Sequence, residues 1–236
     1  MLIEKRILGS VAYVGLGAMP EAFLWSWGSM IQFTNEYMLR PGEIVHWMRG
    51  SQPNQIGARN YLAATMLGEW LLMLDTDHAF EPDLLYRMLQ VFNAGDLDVL
   101  TGVYTYKTFP HRPVLYGYSE KRDGYEHIID LKKYGPKDVI QIACAGAGTL
   151  LIRRRVLEQI AATNEKPFSH CGRYDGDDFN FFERIRLMGI KSWCCPAIQT
   201  YHLRESETSL DDYNESEMVV GEQVAVPTIY TPTRPT

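Results

Sequence analysis

Two carboxylates one residue apart follow directly after a short apolar run. The run covers residues 71–74, and the carboxylates are Asp75 and Asp77. Such a run is typical of a buried strand, and acids at the carboxyl edge of a parallel sheet stand where ligands bind in α/β proteins. Carboxylate oxygens are hard ligands that suit Mg²⁺ or Mn²⁺ held against a diphosphate. The segment therefore predicts a metal and phosphate site, although a D-x-D pair alone is more often a solvated turn.

A second acidic pair lies much later in the chain. Asp177 and Asp178 follow Gly176 and begin a segment whose apolar spacing predicts a helix, which Gly189 ends. Acids in a first turn often do no more than cap the helix and favour its positive end. A helix start also presents a carboxylate to a cleft, so capping and catalysis are compatible.

Together the two segments resemble the motifs of the GT-A glycosyltransferases, and of family 2 in particular. The first matches the metal motif of that fold, while Asp177 and Asp178 stand for the family's Glu-Asp pair and Arg184 lies at the matching offset. The resemblance implies that Asp77 binds a divalent cation bridging the donor's phosphates, and that Asp75 holds the ribose or the metal. It also implies that Asp178 is the catalytic base, with Asp177 and Arg184 in supporting positions.

A histidine completes this set. His202 ends a short apolar stretch just beyond the strand expected around Trp193. In many metal-dependent GT-A enzymes, which this order of motifs resembles, a histidine at this place completes the cation's coordination. Imidazole beside carboxylates favours Mn²⁺ over Mg²⁺. A lone histidine is more often structural, so the prediction of His202 as a metal ligand depends on the two motifs before it.

Two further segments resemble family 2 and add donor-binding candidates. Residues 58–60 resemble the family's Ala-Arg-Asn segment, so Arg59 could face the donor diphosphate, whose oxygens its planar fork matches. An arginine at a helix start is also commonly just solvated. Gly146 and Gly148 lie in a small-residue turn that would let donor sugar or acceptor approach the backbone, and close packing explains them equally well. Thr76, between the two acids, is a donor-binding candidate by the same resemblance.

The elements that must position these residues alternate between strand and helix, which implies a mostly parallel sheet. Hydrophobic patterning predicts strands at residues 11–15, 44–48, 70–74 and 99–104, and helices after Pro20, at 60–67 and at 82–93.

The expected fold class is therefore α/β, as a single GT-A (Rossmann-like) domain with flanking helices. Residues 107–141 are rich in tyrosine, proline and glycine and predict a small antiparallel hairpin region, which in the family faces the acceptor. Trp25 and Trp27, after Pro20, are expected in the core.

Length and charge agree with one enzyme domain followed by a charged tail. A chain of 236 residues with 46% hydrophobic content can bury a single large core. Residues 205–236 hold seven acids and one arginine, a net of −6, so residues 1–204 are neutral. We expect a domain at 1–204 and a Pro/Thr-containing tail at 205–236 that is flexible or forms a lid.

Several partner classes are not expected. A neutral body with an acidic tail lacks the basic face of a general nucleic-acid-binding surface. No apolar stretch reaches the roughly 18–20 residues of a transmembrane segment, and the start lacks a signal peptide's hydrophobic core, so a cytoplasmic protein is expected. The four cysteines show no C-x-x-C spacing and predict no zinc site, and adjacent Cys194 and Cys195 should point to opposite faces of a strand.

The predicted function is metal-dependent transfer of a sugar, of the hexosyltransferase type, from a nucleotide-sugar donor to an acceptor hydroxyl. Inversion at the anomeric carbon follows from the family 2 resemblance alone, and retention stays open. A nucleotidyltransferase that makes a nucleotide sugar is one alternative, although no Gly-rich basic loop follows the first strand. A non-catalytic scaffold on the same fold, in which Asp75, Asp77 and Asp178 are dispensable, is another. Donor base, donor sugar and acceptor stay open.

Overall fold

Strands and helices alternate through most of the chain, of which the computed structural model describes residues 5–15, 17–135, 137–170 and 172–203. The strands are β1 Arg6–Val14, β2 Glu43–Gly50, β3 Trp70–Asp75, β4 His78–Ala79, β5 Val99–Val103, β6 Leu115–Ser119, β7 Gly124–His127, β8 Ile140–Ile142, β9 Cys144–Ala145, β10 Thr149–Arg153, β11 Ser192–Gln199 and β12 Tyr201–His202. The helices are α1 Glu21–Phe33, which continues into a π-helical turn at Thr34–Met38, α2 Gln55–Thr65, α3 Leu84–Ala94, α4 Arg154–Ala161 and α5 Asp177–Leu187.

A seven-stranded sheet lies at the centre, in the order β2-β1-β3-β10-β5-β11-β8. β1 pairs in parallel with β2 and β3, and β11 pairs in parallel with β5. β10 is antiparallel to both β3 and β5, and β8 is antiparallel to β11. Five strands thus run one way and two the other. The predicted mostly parallel sheet is confirmed, and the carboxyl ends of β1, β3, β5 and β11 lie at one edge.

The buried residues form two cores, one on each face of the sheet. Leu71 and Met73 of β3 pack into the core that includes residues of α2, α4 and α5, while Leu72 and Leu74 pack into the core that includes residues of α1 and α3. A strand covered on both faces explains why β3 is a continuous apolar run. Cys194 and Cys195 likewise lie in opposite cores, as predicted, and both are free thiols.

Two small antiparallel sheets complete the fold. β6 lies between β7 and β9, which confirms the predicted hairpin region. β12 pairs with β4 and sets His202 opposite His78. This second pairing ties the segment after β11 to the segment after β3, where the acidic motif lies.

Two local predictions were wrong. Trp25 is 79% exposed, because the phase of α1 turns Phe23, Ser26 and Met30 inward and Trp25 outward. Helix α2 begins at Gln55 and not at residue 60, since the Asn54 side chain accepts a hydrogen bond from the Gly57 N–H at 2.7 Å and starts the helix one turn earlier.

Within the described ranges, no helix has the length and apolar character needed to cross a membrane. The predicted tail, residues 205–236, lies outside the described residues.

Candidate active site

The loop after β3 carries Asp75 and Asp77 at the carboxyl edge of the sheet. The Asp75 N–H donates to the Gly148 carbonyl at 3.0 Å, and the Leu203 N–H donates to the Asp77 carbonyl at 2.6 Å. These bonds fix the loop against the start of β10 and the end of β12. The carboxylates of Asp75 and Asp77 contact different partners. Each of them therefore belongs to its own group of charged residues, and the two groups are neighbours.

Arg59, on α2, joins the two acidic motifs. Its Nη2 donates to both carboxylate oxygens of Asp75 at 3.0 and 2.9 Å, and its Nη1 donates to Oδ2 of Asp177 at 2.8 Å. Arg59 is only 2% exposed. Burial alone would lower the pKa of Arg59, but Asp75 and Asp177 outweigh it and raise that pKa, so the guanidinium stays charged. Nη1 and Nη2 of Arg59 both donate to carboxylates. A contact between Arg59 and the donor diphosphate stays a prediction.

Asp77 lies in a separate group with His202, His78 and Lys107. The Lys107 Nζ donates to Asp77 Oδ2 at 2.7 Å, and His202 Nε2 lies 3.2 Å from the same oxygen. Burial would raise the pKa of Asp77, but the hydrogen bonds from His202 and Lys107 hold it well below its ordinary value, so the carboxylate is ionised. Asp75 does not belong to this group of possible ligands, which contains Asp77, His78 and His202.

His78 is a possible metal ligand that the sequence interpretation missed. It is 1% exposed, its Nδ1 lies 2.9 Å from Thr200 Oγ1, and its ring centroid lies 4.8 Å from that of His202. Burial and the nearby His202 lower the pKa of His78 to about 3, so its ring is neutral at neutral pH. A neutral imidazole is the form that binds a metal. Its position directly after the D-x-D pair was the one available signal in the sequence.

Asp77 and His202 fit a divalent cation. His202 Nδ1 lies 2.8 Å from the Thr105 carbonyl, which can only accept, so Nδ1 carries a proton and Nε2 is the ring nitrogen that faces Asp77 and would bind a cation. Two ligand atoms bound about 2.1 Å from one cation at right angles lie about 3 Å apart. His202 Nε2 and Asp77 Oδ2 are separated by 3.2 Å. The Lys107 ammonium lies on the same oxygen, so a cation at this place requires Lys107 to move.

Asp178 lies in the first turn of α5. Gly176, directly before the helix, has φ +108°, a backbone conformation that favours glycine. The Asp178 Oδ1 accepts from the Phe179 N–H at 2.8 Å. Burial raises the pKa of Asp178 more than the positive charge of Arg59 lowers it. A carboxylate with a raised pKa is a stronger base, so Asp178 is suited to accept a proton.

An aromatic cluster from the hairpin region lies beside Asp178. The ring centroid of Phe179 lies 4.8 Å from that of Tyr116 and 5.4 Å from that of Tyr125. The hydroxyl groups of Tyr106 and Tyr116 are hydrogen-bonded to each other. The side of the site next to the candidate base is therefore lined by aromatic rings.

The remaining candidates lie around this edge in different environments. A Cβ on Gly146 would lie 1.8 Å from the Tyr104 hydroxyl, and a Cβ on Gly148 would lie 2.6 Å from His78 Cε1, so close packing explains both glycines. Thr76 is half-buried in the loop between the two acids. Their roles in donor binding stay predictions.

Arg184 contacts the loop before α5. Its Nε donates to Glu165 Oε2 at 2.6 Å, and its Nη1 donates to the carbonyls of Lys166 and Pro167 at 2.8 Å each. Arg184 anchors the segment that leads into the acidic pair. Its position is therefore a supporting one, because these bonds hold this segment in place.

Comparisons with known proteins agree with this architecture. The model of glycosyl transferase family 2 matches residues 32–161, more than half of the chain, and this range contains Arg59, Asp75 and Asp77. No curated protein matches the chain. The crystal structure of A197 from STIV is similar with a TM-score of 0.56 and 16% identity, over 94% of this chain and 98% of that one. At that identity the likeness shows the fold alone. The family match, with the α/β architecture, shows that the chain belongs to glycosyl transferase family 2 and is a glycosyltransferase of the GT-A fold.

Proposed function

We propose that this glycosyltransferase transfers a sugar from a nucleotide-sugar donor to an acceptor hydroxyl, with Mn²⁺ held by Asp77 and His202 and with Asp178 as the base. The observation that carries the proposal is the bridge through Arg59. It joins Asp75 to Asp177, residues from the two acidic motifs, although Arg59 and Asp177 are 118 positions apart in the sequence. Asp178, the proposed base, directly follows Asp177 in the sequence. The bridge therefore ties the start of α5, which carries Asp178, to the loop that carries Asp77, the proposed metal ligand.

The donor side of the site is the group around Asp77. When bound there, a divalent cation supplies Lewis-acid stabilisation of the charge that builds up on the departing diphosphate. The mixed set of one carboxylate and one imidazole supports Mn²⁺ over Mg²⁺. His202 is oriented for this role by Thr105, and His78 lies close enough to contribute a second nitrogen, which would be the third ligand atom.

The acceptor side of the site is Asp178. The acceptor oxygen forms its bond to the anomeric carbon while the bond from that carbon to the diphosphate oxygen breaks, and the acceptor proton moves to the Asp178 carboxylate. A positioned carboxylate base contributes about 10² to 10⁴ in rate. Attack in a single step from the face opposite the diphosphate inverts the anomeric configuration.

Donor binding is proposed to involve the residues of the same edge. We infer that Asp75, which Arg59 orients, accepts hydrogen bonds from the donor ribose. Thr76 and the backbone at Gly146 and Gly148 border the same loop. Asp177 and Arg184 act as positioning residues for Asp178, the former through Arg59.

Calorimetric titration of a panel of nucleotide sugars tests the donor site. The panel of UDP-, GDP-, CMP- and dTDP-sugars is titrated with Mn²⁺ and with chelator, into the wild type and Asp77→Asn. We expect one nucleotide class to bind, and binding to require both Mn²⁺ and Asp77. Asp96→Asn is the matched control, because Asp96 has a 78% exposed side chain and a backbone φ of +44° that asparagine tolerates. Binding that survives in chelator, or in Asp77→Asn, contradicts the proposed metal site.

A second variant pair tests the base. Asp178→Asn should leave donor affinity within twofold and lower release of nucleoside diphosphate by about 10² to 10⁴. Asp175→Asn, in the exposed loop just before α5, is the control and should keep the wild-type rate. A rate within threefold of the wild type for Asp178→Asn would remove Asp178 from the mechanism.

A further inference from the structure

Lys107 lies where a metal ion would have to bind. Its Nζ is 2.7 Å from Asp77 Oδ2, the same oxygen that faces His202 Nε2 at 3.2 Å. A bound cation would take that oxygen and would repel the ammonium group at this distance. Lys107 and a divalent cation therefore compete for one carboxylate oxygen.

The surroundings of Lys107 allow it to leave Asp77 without a change in the fold. The residue follows β5 in a segment held by backbone bonds on both sides, from the Tyr106 N–H to the Arg112 carbonyl at 3.0 Å and from the His111 N–H to the Thr108 carbonyl at 2.9 Å. The side chains of Lys107 and Asp77 are 32% and 43% exposed. A four-carbon stem at a partly solvated position can swing its ammonium by several ångström while the backbone stays fixed.

We propose that Lys107 is an exchangeable counter-ion that holds Asp77 in the metal-free protein and moves to the donor's diphosphate when the cation binds. This inference rests on the proposed function, since it takes Asp77 as the metal ligand. In the metal-free state the ammonium neutralises Asp77 and keeps its carboxylate turned toward His202. In the loaded state the diphosphate offers the nearest new negative charge, and Lys107 stabilises the leaving group there.

A merely structural ion pair predicts a different outcome. If Lys107 only stabilises the loop, its removal lowers stability and leaves intrinsic ligand affinities unchanged. An exchangeable counter-ion instead makes two affinities move in opposite directions. Removal of Lys107 should tighten binding of the metal alone, because the competitor is gone, and should weaken binding of a diphosphate in the presence of metal, because a charge-assisted hydrogen bond is lost.

The test uses Mn²⁺ alone and then pyrophosphate with saturating Mn²⁺, on the full-length chain. For Lys107→Met we expect Mn²⁺ to bind about two- to fivefold more tightly, measured from the spin-resonance signal of free Mn²⁺. We expect pyrophosphate to bind about tenfold more weakly by calorimetry. Lys107→Arg, which keeps the charge, should restore most of the pyrophosphate affinity. Lys191→Met removes one charge at the exposed residue just before β11 and should change neither affinity.

The possible results separate this inference from the proposed function. If the wild type binds Mn²⁺ and Asp77→Asn abolishes binding, the metal site stands. Unchanged or weaker Mn²⁺ binding by Lys107→Met, or unchanged pyrophosphate binding, then overturns the role of Lys107 alone. If the folded wild type binds no Mn²⁺, both the proposed metal site and the exchange are overturned. Thermal unfolding of each variant confirms that the comparison is made between folded proteins.

Discussion

Removal of the Arg59 guanidinium should destabilise the protein more than removal of any exposed arginine. Arg59 is 2% exposed, and its partners Asp75 and Asp177 have side chains that are 18% and 11% exposed. Arg59→Met keeps most of the side-chain volume and leaves two carboxylates without their counter-ion. Breaking a buried pair in this way costs about 3–5 kcal/mol. Because Asp75 keeps some contact with solvent, we expect the lower part of that range, about 3 kcal/mol.

Urea unfolding at pH 7 measures this loss, with Arg155→Met as the control. Arg155 pairs with Asp98 on the surface with its own side chain 48% exposed, so its removal should cost about 1 kcal/mol or less. The second change Asp177→Asn, added to Arg59→Met, should recover part of the loss at pH 7. A loss below about 1 kcal/mol for Arg59→Met, equal to that of the control, would refute the buried bridge.

Two other substitutions test separate parts of the site. Burial raises the pKa of Asp178, so the ionised carboxylate lowers the stability of the folded protein above that pKa. Asp178→Asn should therefore unfold at a higher urea concentration than the wild type at pH 7. This difference should disappear as the pH falls. The same raised pKa should place the acid limb of the wild-type turnover profile above the ordinary aspartate value of about 3.9, and a limb at or below that value would contradict it. Gly148→Ala should destabilise the protein by about 1–3 kcal/mol, because its Cβ would lie 2.6 Å from His78 and 3.1 Å from Tyr104. Gly28→Ala on α1, where an added Cβ meets nothing within 4 Å, should be neutral or stabilising when both variants are measured by urea unfolding. Equal effects of the two changes would refute the packing argument.

The parts of the fold that were predictable from the sequence depend on local patterns. The apolar run of β3 and the alternation of strands and helices indicated the sheet and placed Asp75 and Asp77 at its edge. The insertion of β10 antiparallel between β3 and β5 was not predictable, because strand order depends on contacts between distant segments. Trp25 was misplaced because an aromatic residue near a helix start was taken as buried without regard to the phase of α1.

The candidate site divides in the same way. Asp77 and His202 were proposed together from motif order, and the structure brings them within 3.2 Å. Lys107 could not be found from the sequence, since it lies 30 positions after Asp77 in a segment without a motif, and only the packing of the strand ends brings the two together. Arg59 was expected to face the donor. In the structure it binds carboxylates from two motifs, and the sequence could not show that these motifs lie close together because only folding brings them into contact.

The most direct test of the central claim is to identify which phosphate product is released from the nucleotide sugar that binds. With Mn²⁺ present, we predict release of the nucleoside diphosphate, with loss of that release in chelator and in Asp77→Asn. Release of pyrophosphate from a nucleoside triphosphate and a sugar phosphate would show a nucleotidyltransferase instead. If the folded protein neither binds nor turns over any nucleotide sugar, the proposed function is contradicted.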